Sequence, residues 1–115
     1  DPRDVLSGGE WLIERIGEET VLPDTQPTIA FFTEDGTDRF GGLASCNRYM
    51  GGYSVVGEGL RLTPAASTLM ACMDERQALQ ERRLLTLLGE VSGFGIDQEG
   101  KLLLRTGAGD IVARR

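Results

Sequence analysis

"TIAFFTEDGT", residues 28–37, is a run of β-branched and aromatic residues closed by an Asp-Gly pair. Such residues pack well on a pleated, half-buried surface, and Asp-Gly after them is a hairpin signal, because tight turns need the left-handed backbone that these two residues tolerate. The stretch predicts a strand over 28–33 joined tightly to a second strand.

Outward from this hairpin the chain reads as short apolar stretches punctuated by Gly, Asp and Pro, the pattern of a many-stranded antiparallel sheet. Upstream, "WLIERI" (11–16) alternates as a strand with Trp11, Ile13 and the aliphatic stem of Arg15 on one face. Downstream, "RFGGLA" (39–44) leads into "SCN" (45–47), "GGYSVVG" (51–57) is a strand, and "GEG" (57–59) turns into "LRLT" (60–63). Beyond Pro64, "AASTLMA" (65–71) is a less regular strand. Near the end, "GFGID" (93–97), "KLLLRT" (101–106) and "DIVARR" (110–115) are strands divided by the turns "QEG" and "GAG".

Between these two sets the period changes. "DERQALQERRLLTLL" (74–88) is built of strong helix formers, with Ala78, Leu84, Leu85 and Leu88 on one side and Arg and Glu opposite. Asp74 is placed to cap this helix, Gln77 to complete a relative of the capping box, and Gly89 to end it. The fold class is mainly β, of the α+β kind: a small antiparallel barrel-like or strongly curled sheet of about eight strands with one helix inserted late in the chain. Residues 1–10 read as a loosely held lead-in and residues 11–115 as one domain.

At 115 residues, 40% hydrophobic and 26% charged, the composition is that of one folded domain. No apolar run approaches the roughly 20 residues of a transmembrane helix, and "DPRDVLSGGEW" has no signal-peptide features, a segment that trimming would remove. The net charge of −6 comes with scattered basic residues. That argues against nucleic acid and anionic membranes, which need a basic patch, and leaves solubility as the reading of the acidity.

Histidine is absent, which removes the commonest general base and metal ligand and with them any Ser-His-Asp or Cys-His arrangement. Cys46 and Cys72 stand 26 positions apart, so they form neither a C-x-x-C redox pair nor a four-ligand zinc site. On the residues alone two readings remain open: a disulfide, or two buried free thiols. The carboxylates concentrate in turns and on the helix surface and read as solvated. Trp11, Tyr49 and Tyr53 read as core or rim packing ahead of a ligand pocket. Asn47 reads as a supplier of backbone hydrogen bonds or of a left-handed turn. The expectation is therefore no catalytic residue, no metal and no cofactor, in a monomer.

Two ordered segments, "SCNRYMGGY" (45–53) and "TLMACMD" (68–74), followed by Glu81, "LLTLL" (84–88) and "KLLLRT" (101–106), resemble the META domain, or HslJ-like, family. Cys46, Asn47, Gly51 and Tyr53 match its Gly-Cys-Asn and Gly-x-Tyr pattern; Thr68, Met70, Cys72, Asp74 and Glu81 match the Thr-x-Met-x-Cys segment and the helix after it. Trp11 fits the tryptophan that opens the first strand. Ser45 replaces the usual glycine and Met73 a frequent proline, and the first raises the question whether residue 45 needs a positive φ.

The resemblance implies a compact barrel-like β domain with a helix against it and with Cys46 paired to Cys72 in a disulfide. It implies a periplasmic, outer-membrane-associated or secreted location, with links to heat shock, stress response and lipoproteins and no established enzymatic activity. The partner it points to is an envelope protein. The alternative from the residues is a small apolar ligand or lipid held inside the barrel.

Overall fold

The computed structural model describes residues 1–57 and 59–115. The chain runs α1 (Pro2–Leu6), β1 (Trp11–Ile16), β2 (Glu19–Thr20), β3 (Thr28–Glu34), β4 (Thr37–Leu43), β5 (Arg48–Val56), β6 (Gly59–Ser67), α2 (Glu75–Leu88), β7 (Gly93–Ile96), β8 (Leu102–Arg105) and β9 (Ile111–Arg114). Among the described residues nine antiparallel strands lie in the order β2-β1-β3-β4-β5-β6-β7-β8-β9, and a further pairing of β1 with β9 turns the sheet into a ring. The ring is thinnest between β6 and β7, which pair at Gly59 and Gly93. The expected mainly β, curled antiparallel sheet with a late helix is the observed architecture.

The deciding stretch folds as read. Thr28, Ile29 and Phe31 of β3 are buried, and Asp35 and Gly36, at φ 50° and 78°, form a two-residue turn with both residues left-handed. Among the described non-glycine residues Asp35 alone has a positive φ, so Ser45 adopts its place without one. The "GEG" turn falls partly outside the described residues at position 58, while Val56 pairs with Gly59 across it.

Several local readings change. In β1 the pairing to β9 shifts register between Ile13 and Arg15, so Ile16 points inward and Arg15 lies exposed. An additional strand, β2, is only two exposed residues long, too short for alternation to reveal it. "AASTLMA" is strand only through Ser67, as the end of β6. The first ten residues carry α1, whose Leu6 is fully buried and accepts a 2.9 Å hydrogen bond from Trp11 Nε1. Arg115 sits over the Trp11 ring at 3.8 Å and donates to the carbonyls of Leu6 and Ser7, clasping the two termini together.

Helix α2 begins after Asp74, which accepts from Arg76 N at 2.8 Å. Gln77 reaches Asp24 at 3.1 Å, so the capping box does not close. Gly89 ends the helix in a right-handed conformation, at φ −72°. The inward side carries Leu84, Leu87 and Leu88 and also two polar residues, Gln80 and Glu81. The interior of the ring is filled by side chains such as Trp11, Ile13, Phe40, Leu60, Leu84 and Leu102.

Gly51 faces Phe40 across the β4–β5 ladder. A Cβ at this position would strike the Thr63 carbonyl oxygen and press on the Phe40 ring, which is itself fully buried. Gly51→Ala is expected to destabilise by about 2 kcal/mol, the usual scale of overpacking, as read by the denaturant midpoint. An unchanged midpoint would show that β5 yields freely at this point.

Candidate functional site

Three segments converge on α2: the turn Ser45–Asn47 between β4 and β5, residues 68–73 between β6 and the helix, and the 22–25 turn. The backbone N–H groups of Ser45, Cys46 and Asn47 all point at Glu81 Oε1, at 3.2, 3.1 and 2.8 Å. Three successive amides aimed at one point make a nest, a concavity that favours an anion, and here the anion is a side chain of the same protein. The second oxygen, Oε2, accepts from Asn47 Nδ2 at 2.6 Å.

Asn47 is the hinge of this arrangement. Its Nδ2 also donates to the Met70 carbonyl at 2.9 Å, while its Oδ1 accepts from Thr68 Oγ1 at 2.8 Å and Met70 N at 2.7 Å. Thr68 Oγ1 in turn accepts from Arg48 N at 3.0 Å. One amide thus satisfies the backbone of a segment more than 20 residues away in sequence, so of the two readings of Asn47 the structure has the supplier of backbone hydrogen bonds and not the left-handed turn. Next along the helix, Gln80 donates to Ser45 Oγ and Thr25 Oγ1, each at 2.9 Å, and accepts from Leu22 N at 2.8 Å.

Cys46 and Cys72 are joined in a disulfide with their Cα atoms 5.9 Å apart. The bond ties the 45–47 turn to the entry of α2 beside the same carboxylate: Glu81 Oε1 lies 3.6 Å from Cys46 Sγ and Oε2 lies 3.9 Å from Cys72 Sγ. Both cysteines are half-buried.

Glu81 is only 8% exposed and joins none of the ion pairs among the described residues. It departs from the expectation that the helix carboxylates are solvated. Burial pushes its carboxyl up, but the bonds from the Asn47 side chain and from the amides of Asn47, Cys46 and Ser45 outweigh that and hold it below the usual carboxylate range. Charge here is stabilised by neutral donors, each roughly doubled in strength by the ionised acceptor.

Of the residues singled out in the sequence, Cys46, Asn47, Thr68, Met70, Cys72 and Glu81 meet in this cluster. The others lie elsewhere. Trp11 is held at the termini, Gly51 serves the Phe40 contact, and Asp74 caps the helix. Tyr53 packs edge-on against Phe31 with ring centroids 5.3 Å apart, while Tyr49, whose hydroxyl burial pushes strongly up, donates to the Thr28 carbonyl. Gln80 and Ser45 are contributors that the sequence reading missed. The available signal was helical spacing, since positions 77, 80, 81, 84 and 88 share one face of α2.

Chemically the oxidised cluster presents no free thiol. One oxygen of Glu81 is saturated by three donors, and the sulfurs are bound to each other. Asn47→Ala removes four hydrogen bonds to nitrogen and oxygen partners and a longer one to Cys46 Sγ, and is expected to cost about 3 kcal/mol, read as a fall in denaturant midpoint, with amide exchange speeding up at Met70. Wild-type exchange at Met70 in that variant would show that residues 68–70 are held by something else.

Comparison with curated proteins gives no match. Two solved structures are similar in fold. One, described as the NMR structure of a protein from Burkholderia xenovorans, aligns with a TM-score of 0.75 at 23% identity, over 96% of this chain and 83% of that one. The other, also an NMR structure of a protein, aligns with a TM-score of 0.75 at 18% identity, over 97% and 92% of the two chains. At such identities the likeness is one of fold. The family model of the META domain matches residues 4–115, spanning nearly the whole chain, and the protein belongs to the META domain family.

Proposed function

We propose that the protein is a non-enzymatic envelope or secreted domain that contributes to stress tolerance by docking another envelope protein. The observation that carries this reading is the segment beyond the Asn47–Glu81 cluster. Leu69 is 94% exposed, Met70 61% and Met73 100%, with Met50 and Leu79 also exposed. From Pro64 to Met73 there is no charged residue, and the whole segment is exposed save a half-buried Cys72. Large apolar side chains held out in water mark an interaction surface, and methionine suits one that adapts to its partner.

The rest of the cluster supports the same reading. Its hydrogen bonds and its disulfide fix the backbone on both sides of the apolar side chains, so their presentation is pre-organised and less ordering entropy is lost on docking. The β6 edge beyond Gly59 has no strand partner among the described residues, and Pro64 interrupts it against indiscriminate strand pairing. No helix among the described residues is long and apolar enough to cross a membrane, and a disulfide persists in oxidising compartments such as the periplasm. A barrel carrying a small apolar ligand is the weaker reading, since the interior is occupied by the domain's own side chains.

The test is a triple variant, Leu69→Ser, Met70→Ser and Met73→Ser. These side chains are exposed, so the melting temperature should stay close to that of the wild type, while recovery of a crosslinked partner from envelope fractions should be lost together with any protection under envelope stress. Recovery of the same partner by both proteins would place the docking surface elsewhere.

A further inference from the structure

Among the described residues the buried Glu81 carboxylate joins no ion pair, and beyond its nitrogen donors it lies against two sulfurs. One ligand atom from each of Cys46, Cys72 and Glu81 falls within 4.8 Å of the others. Glu81 Oε1 is saturated by three amides, whereas Oε2 takes a single bond, from Asn47, and lies 3.9 Å from Cys72 Sγ. Oε2 therefore retains coordinating capacity beside the sulfurs. Both cysteines are half-buried, so each keeps part of its surface open to solvent.

We propose that when the Cys46–Cys72 bond is reduced, the two thiolates and Glu81 form a three-ligand site for a thiophilic divalent cation such as Zn²⁺ or Cd²⁺. The crosslink then has two forms, covalent when oxidised and coordinate when reduced, and both pin the 45–47 turn to α2. Spacing rules overlook the site because the third ligand is a carboxylate on a helix and not a further Cys or His.

The chemistry balances. A dithiol reductant gives two electrons and two protons to the S–S bond and leaves as its own disulfide. Cys46 and Cys72 become thiols, and the entering cation displaces one proton from each to solvent while Glu81 enters already ionised. Three negative ligands around a dication leave a net charge of −1 where the cation-free thiolates and carboxylate would carry −3. Thiolate favours soft and borderline cations, and a water from the exposed side completes a tetrahedral set. Thiol rotation supplies the wider sulfur separation that metal bonds of about 2.3 Å require.

The experiment is a Cd²⁺ titration of the reduced chain, freed of reductant, followed by the ultraviolet thiolate-to-cadmium band and by thermal melting. One equivalent should bind, the band should appear, and the melting temperature of the reduced protein should rise, while the oxidised protein shows none of these. Cys46→Ser should abolish the band. Glu81→Gln should weaken binding by at least the roughly tenfold that losing even an outer contact costs a metal site. Because Glu81 also supports the fold, its part is read independently in the wild type, where its carboxylate ¹³C resonance should shift on Cd²⁺ binding. The proposal is overturned if the reduced, folded protein takes up no stoichiometric Cd²⁺, or if the oxidised protein binds equally well. It is equally overturned if the band forms while the Glu81 resonance stays fixed, or if a reduced chain that has unfolded fails to regain its fold with Cd²⁺.

Discussion

Reducing the Cys46–Cys72 bond in the absence of metal, or replacing both cysteines by alanine, is expected to lower the stability of the domain by about 3.5 kcal/mol. The figure follows from the 26-residue separation of the two cysteines and the chain-entropy model, in which the crosslink stabilises by restricting the unfolded chain. For a domain of this size that corresponds to a fall of roughly 10 °C or more in melting temperature, measured by calorimetry with and without reductant. Total stabilities of about 5–15 kcal/mol leave the reduced protein folded but with a narrowed margin. The loss should be local in its first effects. Amides of residues 45–47 and 68–73 should lose exchange protection before those of the β3–β4 hairpin, whose ladder the bond does not touch. A reduced protein with the melting temperature of the oxidised one would mean that the hydrogen bonds around Asn47 already hold the same two segments in the denatured ensemble.

The contrast between that hairpin and the cluster shows what a sequence displays. The 28–37 stretch was legible because everything it needs is local: residues suited to a pleated surface and an Asp-Gly pair suited to two left-handed positions. Helix α2 was legible for the same reason, its period and its Asp74 cap both lying within a few residues of each other. What stayed hidden depends on partners far along the chain. Helix α1 exists because Leu6 finds the core and Arg115 returns to clasp it, a meeting of residues 109 positions apart. The β1 register shift moves Arg15 outward only through its pairing to the last strand. Glu81 looked like any other acid on a charged helix, because the donors that make it different are main-chain amides 34 to 36 residues upstream, and a sequence does not show where its amides point. The residues alone left Cys46 and Cys72 between thiol and disulfide; family resemblance implied the pairing, and the fold brings the two together.

The larger effect belongs to Glu81 itself. Glu81→Ala leaves the amides of Ser45, Cys46 and Asn47 without an acceptor and takes one of two oxygen partners from Asn47 Nδ2. At about 1–3 kcal/mol for each buried donor left unpaired, and with water reaching part of the vacated space, the expected loss is about 4 kcal/mol. Glu81→Gln should cost less, since its carbonyl can still face the nest, but its amide then meets Asn47 Nδ2 donor to donor. Turning the Asn47 amide relieves that clash only by giving up the bonds from Thr68 and Met70 N. The same geometry fixes a pH dependence. A carboxyl whose folded pKa is depressed contributes stability that is fully present above its unfolded pKa of about 4.3 and is lost as pH falls through the lower folded value. Asp38, lowered by the Arg3 hydrogen bond, and Asp74, lowered by the Arg76 amide, follow the same sign but are common to wild type and variant. Melting temperatures of wild type and Glu81→Gln, measured from neutral pH down through this acid window, should therefore converge as the wild-type carboxylate takes up its proton. A gap that stays constant across the window would mean that the nest needs an oxygen at this position and is indifferent to its charge.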